Sequence, residues 1–257
     1  MRILITGSRG YIGYSLYLAL KDKYEIVAHT RDLFDLTSSK STLDYFKGQY
    51  FDIILHCAIV GGSRLKKDDW NVVDDNLTMY YNLLQCKENY GMFINLASGA
   101  EINSPESPYG ISKRIIANSI LQKDGFYNIR IFGVFNEYEL DTRFIRANLL
   151  RYIGKQSMNI QNKKMTFFYM KDLIKVIEYY IENDQSLLLK DVDCAYSRSI
   201  SLLEIANLIN NLSDYKVHIN VENAKIDDYI SNKLIPYNID YIGLEQGILE
   251  VYKKMTL

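Results

Sequence analysis

The strongest constraint on the chain is its opening stretch, Ile3-Leu4-Ile5-Thr6-Gly7-Ser8-Arg9-Gly10-Tyr11-Ile12-Gly13. A short apolar run ends in Thr6-Gly7, and two more glycines follow at spacings of three. Ile3 to Ile5 reads as a buried parallel strand. Gly7 permits a sharp turn out of that strand. Gly10 leaves room for a phosphate to approach the backbone, and Gly13 lets the next helix pack closely. That helix, predicted over residues 11–20, points its free N–H groups and positive dipole end at the phosphate. A glycine triplet gains its meaning from context. Here a strand precedes it and an amphipathic helix follows, so Gly7 to Gly13, with Ser8, Arg9, Tyr11 and Ile12, is the expected cofactor-binding turn.

The rest of the first half alternates in the same way. Strands are predicted at 25–29, 52–58, 92–97 and 128–132, and helices at 40–47, 70–90 and 108–122. Such alternation implies an α/β fold, a Rossmann-type doubly wound parallel sheet whose ligands bind off the carboxyl ends of its strands. Beyond residue 133 the pattern loosens. Helices are expected at 140–152, 171–183 and 243–252, a short strand at 166–169 and a small strand at 217–221. A capping box at Ser201–Glu204 is expected to open a helix running to about Leu212. The expected organisation is a dinucleotide-binding domain over 1–133, to which a segment at 166–195 returns. A small interleaved substrate lobe covers 134–165 and 196–257.

A chain of 257 residues with a formal net charge of -1 gives no sign of a nucleic-acid or membrane partner. Cys57, Cys86 and Cys194 are widely spaced and in no metal-ligand pattern, which suggests reduced thiols in a cytoplasmic protein. The N-terminal strand and glycine turn are unlike a signal peptide. No metal site is expected, and His56, in a buried strand, reads as a hydrogen-bonded core histidine.

Tyr109 and Lys113 lie four apart, one turn of a helix, so their side chains share a face. An ammonium beside a phenol favours the phenolate, and such a tyrosine exchanges a proton with a carbonyl or alcohol near neutral pH. Ser98, at the end of the preceding strand, offers a second hydrogen bond to the same oxygen. With 22 tyrosines in the chain, a Tyr-x-x-x-Lys spacing arises readily by chance. It is the combination with the glycine turn and Ser98 that points to hydride transfer to or from a nicotinamide.

On these residues the chain resembles the extended short-chain dehydrogenase/reductases, the NAD-dependent epimerase/dehydratase family that acts on nucleotide-activated sugars. The glycine turn matches the family's cofactor turn. Leu55-His56-Cys57-Ala58 resembles its strand-four motif, and Asn76 stands where a structural Asn precedes the long helix. Ser98, Tyr109 and Lys113 fill the catalytic places. Arg130-Ile131-Phe132 resembles the strand-six segment, and Phe167 to Leu173 a later Phe-Val-x-Val-x-Asp-Leu motif. Within the family the likeness is greatest to the GDP-fucose synthase and dTDP-4-dehydrorhamnose reductase groups, and Thr30-Arg31-Asp32-Leu33, Asp35-Leu36-Thr37 and Ala58 to Ser63 resemble the former.

The resemblance implies a reductase of a nucleotide-linked 4-keto-6-deoxysugar. Cys57, Ala58, Asn76, Tyr109 and Lys113 join the cofactor contacts, and Asp35 and Leu36 flank the adenine. Where an acidic residue would hold a free ribose 2′-OH, the chain reads His29-Thr30-Arg31, so NADP(H) is expected over NAD(H). The competing reading leaves Arg31 on the surface and puts Asp32 on the ribose. Dehydratases of the family carry an Asp-Glu pair after the catalytic hydroxyl residue. Gly99-Ala100 stand here, which argues against dehydration. Ala100 and Tyr138 replace the Cys and His that shuttle protons in fucose-type epimerisation. Two other readings stay open: a 4-epimerase holding NAD tightly, and a catalytically silent NADP-binding protein. Arg64, Lys66, Lys67, Arg143, Arg146 and Arg151 are candidate clamps for a substrate pyrophosphate, with Arg143 and Arg146 the foremost substrate-binding pair. A homodimer through the two long helices is expected by resemblance.

Overall fold

The computed structural model describes residues 1–63, 65–231, 233 and 235–256. In chain order the elements are β1 (Arg2–Thr6), α1 (Tyr11–Leu20), β2 (Glu25–Ala28), α2 (Ser39–Phe46), β3 (Phe51–His56), α3 (Asn71–Gln85), β4 (Tyr90–Ser98), α4 (Ala100–Asn103), α5 (Pro108–Leu121) and β5 (Phe126–Ile131). There follow β6 (Gly133–Phe135), α6 (Phe144–Ile153), β7 (Met158–Asn162), β8 (Lys164–Met165), β9 (Phe167–Tyr169), α7 (Met170–Glu182), β10 (Asp191–Asp193), β11 (Ile200–Ser201), α8 (Leu202–Asn210), β12 (Ile219–Lys225) and α9 (Leu244–Thr256). Two compact units result: Met1–Arg130 with Tyr179–Val192, and Ile131–Glu178 with Asp193–Leu257.

The first unit is built on a six-stranded parallel sheet of order β10-β5-β4-β3-β1-β2. Ile3 pairs with Ile26 on one side and Ile53 on the other, and Leu55 pairs with Ile94. The strands are near-continuous apolar runs because helices cover both faces. From β1 the chain winds outward to β2, then returns past β1 to β3 and onward the other way. The order therefore reverses between β1 and β3, and that switch point opens a crevice at their carboxyl ends. One face packs Leu4, Phe46, Phe51, Ile54, Tyr80, Phe93 and Phe126 into a core that also buries Cys86.

The second unit has its own core of Phe135, Ile145, Leu149, Tyr152, Met158, Phe167, Tyr169, Ile205, Ile248 and Val251. Its small sheets pair β6 with β9, β7 with β12 and β8 with β11. The capping box forms as expected: Ser201 accepts from the Glu204 N–H, and the Glu204 carboxylate accepts from the Ser201 N–H. Cys194 is buried in this unit.

Among the elements that depart from expectation, α9 runs on to Thr256 rather than ending at 252, and three others differ as follows. The long helix predicted to Tyr90 stops at Gln85, because Asn89 turns its amide to the carbonyls of Phe46 (3.0 Å) and Gln49 (2.9 Å) and frees Tyr90 to begin β4. The helix expected from Leu140 starts at Phe144, because Arg143, at ψ 148°, is an extended N-cap. The small strand lies at 219–225 rather than 217–221, in register with β7.

Candidate active site

The glycine turn owes its shape to missing side chains. Gly7 sits at φ +65°, and a Cβ there would lie 2.7 Å from Ala58 Cα. A Cβ on Gly13 would meet the Gly7 carbonyl oxygen at 2.4 Å, well inside van der Waals contact. Gly10 is the N-cap of α1, with no side-chain cap and no acid in the first turn, so the helix N-terminus is left for an anion. Ser8 is buried and ties the turn to β2 by donating to the His29 carbonyl (2.6 Å).

Thr6 secures the other side. Its Oγ1 accepts from the N–H of Cys57 (3.1 Å) and Ala58 (3.2 Å), so its single proton goes to His56 Nδ1 (2.9 Å). His56 is therefore a neutral core imidazole protonated on Nε2. Burial pushes its pKa down to about 3.

A groove of about 330 Å³ lies over the switch point, lined by Gly7, Arg9, Gly10, His29, Arg31, Asp35, Leu36, Cys57, Ala58 and Met79. Arg9 pairs with Asp32 (3.0 Å), both largely exposed. An exposed pair of this kind holds weakly and exchanges readily for a phosphate. Hydrogen bonds from the Thr37 N–H and hydroxyl hold the Asp35 carboxyl below its usual range. Buried His29 donates from Nε2 to the Phe34 carbonyl (2.8 Å), and burial lowers its pKa. Tyr11 and Ile12, half-buried, form the first turn of α1. Asn76 is buried and its amide serves Val60 N–H (2.8 Å), Val60 C=O (3.0 Å) and Ser112 Oγ (3.0 Å), bracing the loop after β3.

Ser98 ends β4. Its Oγ accepts from the Ala100 N–H (3.2 Å), which leaves the hydroxyl proton for an outside acceptor. Tyr109 and Lys113 stand on the first two turns of α5, whose N-cap Ser107 accepts from the Gly110 N–H (3.0 Å) and whose N1 residue is Pro108. Lys113 Nζ lies 6.0 Å from the Tyr109 ring centroid and donates to the Leu96 carbonyl (2.6 Å). Burial brings its pKa down to about 8. The Tyr109 ring is seated against Gly62, where a Cβ would come within 2.8 Å of Cζ.

Two features escaped the sequence reading. Gly110 has no room for a side chain: a Cβ there would lie 2.1 Å from the Ser104 carbonyl oxygen and 2.8 Å from that of Ala100. It clamps α5, which carries Tyr109, against the segment that follows Ser98. Glu101 is buried beside Ser98 and bonded to Arg130 (2.9 Å). A glycine directly after Tyr109 and an acid three residues after Ser98 were the available signals.

In the second unit, Arg143 pairs with Glu139 (3.3 Å), and Arg146 pairs with Asp141 (2.5 Å) and donates to the Glu137 carbonyl. Tyr138 is exposed. Arg64 lies outside the described residues. Among the described residues no cluster of three or more His, Cys, Asp or Glu is placed to hold a metal, and no helix is long and apolar enough to cross a membrane.

A parallel sheet with a glycine turn at its switch point defines a Rossmann-type dinucleotide fold. The chain belongs to the NAD dependent epimerase/dehydratase family, whose profile matches residues 3–192. The CDP-abequose synthase of Yersinia pseudotuberculosis is 24% identical over 242 residues, 83% of this chain and 85% of that protein. The UDP-2-acetamido-2,6-beta-L-arabino-hexul-4-ose reductase of Pseudomonas aeruginosa is 27% identical over 254 residues, 90% of this chain and 64% of that one. Among solved structures, the GDP-mannoheptose C4 reductase of Campylobacter jejuni with NADP bound superposes with a TM-score of 0.82 at 16% identity, covering 100% of this chain and 98% of that one.

Proposed function

We propose that the protein reduces a nucleotide-linked 4-keto-6-deoxysugar, or a related keto sugar, with NADPH. The observation that carries this reading is Lys113 Nζ beside the Tyr109 ring on one helix, in a unit whose glycine turn fits a dinucleotide. The names of the relatives support the substrate class, and the NADP in the Campylobacter jejuni reductase supports the cofactor.

The turn from Gly7 to Gly13 and the start of α1 would hold the cofactor pyrophosphate. Arg9 and Arg31 would take the 2′-phosphate, Asp35 and Leu36 would flank the adenine, and Cys57 and Ala58 would line the path onward. Asn76 contributes by bracing Val60. The cofactor, when bound, supplies hydride to the carbonyl carbon. Ser98 donates its free hydroxyl proton to the carbonyl oxygen and orients it. Tyr109 gives its proton to the oxygen as negative charge develops there, and the Lys113 ammonium stabilises the phenolate left behind and holds the cofactor ribose. Arg143 and Arg146 are the residues proposed, by the resemblance, for a substrate pyrophosphate. With Gly99-Ala100 after Ser98, the chain lacks the acid pair of a dehydratase.

We read the protein as a cytoplasmic homodimer paired through α3 and α5, whose exposed faces carry Tyr81, Ile115 and Leu121. Sedimentation of the wild type against Ile115→Arg tests the dimer, and a single monomeric species for the wild type rejects it.

The test of the reaction mixes the pure protein with NADPH and a panel of nucleotide-linked 4-keto-6-deoxysugars, following nicotinamide absorbance and identifying the product. Stoichiometric NADPH oxidation is expected, which separates a reductase from an NAD-retaining epimerase. Tyr109→Phe is expected to remove turnover and to leave NADPH affinity within about twofold. A fully active Tyr109→Phe enzyme would sink the assignment.

A further inference from the structure

Glu101 lies in α4, the four-residue helix that follows Ser98. Its side chain is 3% exposed, and both oxygens are used. Oε1 accepts from the Ser98 N–H (3.1 Å), and Oε2 accepts from Arg130 Nε (2.9 Å). Arg130 Nη2 continues to Asp191 Oδ1 (2.8 Å), which also accepts from Asn128 Nδ2 (2.8 Å). Burying such a charge network is costly. An ion pair of this kind is often replaced by apolar residues with no loss of stability. Fold stability alone is therefore a poor explanation for it.

The surroundings of Lys113 supply another. Its ammonium is buried against the Leu96 carbonyl and the Tyr109 ring. His56, in β3, and Cys57, just beyond it, are the other titratable groups whose charge would couple to the ammonium. His56 is neutral, and burial pushes the Cys57 thiol up to about 12, so neither carries negative charge at neutral pH. Glu101 and Lys113 are fastened to the same end of β4, Lys113 Nζ on the Leu96 carbonyl and Glu101 Oε1 on the Ser98 N–H two residues on. Groups at that spacing point to the same side of a strand, and the carboxylate charge there favours the ammonium. Burial raises the Glu101 pKa, and the Arg130 guanidinium opposes that rise and helps keep the carboxyl ionised.

We propose that Glu101 is a positioning residue of the Ser98–Tyr109–Lys113 site, pinning the backbone of Ser98 through one oxygen and providing the counter-charge that keeps Lys113 an ammonium. Arg130 and Asp191 hold Glu101 in place. The catalytic meaning of this arrangement rests on the reductase reading above, whereas the charge coupling itself needs neither substrate nor cofactor.

The test titrates the 13Cε resonance of Lys113 in full-length protein labelled with 13C-lysine, assigned by its loss in Lys113→Arg. Glu101→Gln keeps the volume and an acceptor for the Ser98 N–H but removes the charge. It is expected to lower the Lys113 midpoint by about one pH unit, a tenfold change in acidity. Glu101→Asp, which restores a carboxylate, is expected to recover at least half of that shift. If the single variant does not fold because Arg130 Nε loses its carboxylate, the double variant Glu101→Gln/Arg130→Met removes both charges and is expected to show the same direction of shift. A Lys113 midpoint that stays within about 0.3 unit of wild type in the folded variant overturns the proposal. A shifted midpoint in a protein that turns over no keto sugar leaves the coupling standing and rejects the reductase reading. An unmoved midpoint in an active reductase does the reverse.

Discussion

The two arms of the candidate site, both in the first unit, are made by opposite means. The turn from Thr6 to Gly13 is shaped by what is missing: three glycines let backbone meet backbone, and the nearest charged pair, Arg9 with Asp32, is exposed. The stretch from Ser98 to Lys113 is shaped by what is buried, with Glu101, Lys113 and Arg130 all below one-tenth exposure. On the proposed reading the first arm holds an anion with fixed N–H groups and needs no titrating side chain. The second keeps charge out of water, where an ammonium acts most strongly on a neighbouring phenol. A steric clash in the first arm should therefore cost cofactor binding and one in the second arm turnover, while changes of charge or pH should act on the second arm alone.

The largest effects test the steric half. Gly13→Val places a side chain where even a Cβ meets the Gly7 carbonyl at 2.4 Å. NADPH binding is expected to weaken by more than about a hundredfold, as measured by nicotinamide fluorescence. Gly110→Ala sharpens the contrast, since it puts the same kind of clash in the other arm, at 2.1 Å from the Ser104 carbonyl. It is expected to cut kcat about a hundredfold with NADPH affinity nearly unchanged. Equal losses of binding in both variants would break the comparison.

Charge comes next. The Lys113 pKa falls from 10.5 to about 8 on folding. Between those values the unfolded chain holds more protons than the native one, so stability rises with pH through that window and the full cost is borne below it. Lys113→Met is expected to stabilise the fold by on the order of 2–3 kcal/mol at neutral pH while abolishing turnover. The gain should shrink above pH 8 and vanish near 10.5, as read from urea unfolding. His56 acts at the acid end. Its pKa falls from 6.5 to about 3 on folding, so the unfolded chain binds the extra proton as pH drops through that window and native stability is lost. His56→Gln is expected to flatten that acid limb in melting curves. The smallest effect is expected from Arg31→Ala, about tenfold weaker NADPH binding with NADH barely affected. Equal losses for both cofactors would remove Arg31 from the 2′-phosphate.

The same contrast explains what could be read from the sequence. The turn was legible because its cause is local: glycine spacing, a strand before and a helix after, all within a dozen residues. Helix α1 runs from Tyr11 to Leu20 as expected. Tyr109 and Lys113 were legible through helical spacing, which sets their common face. The Glu101–Arg130–Asp191 chain was not, because its members are 29 and 61 residues apart and meet only when α4, β5 and β10 come together. The early end of α3 was hidden for a similar reason. Its cause is Asn89 reaching carbonyls more than 35 residues away. The necessity of Gly110 lies in the Ser104 carbonyl it faces, a contact that its place in the helix does not reveal.

The cysteines give the fold a built-in pair of clocks. Cys86 is sealed in the first unit and Cys194 in the second, and burial pushes both thiols up, Cys86 to about 11. A thiol in that state reacts only when its surroundings open. With Cys57 replaced by serine, the rate of alkylation at each remaining position, followed by mass spectrometry, reports how often each unit opens on its own, in one sample and without an added label.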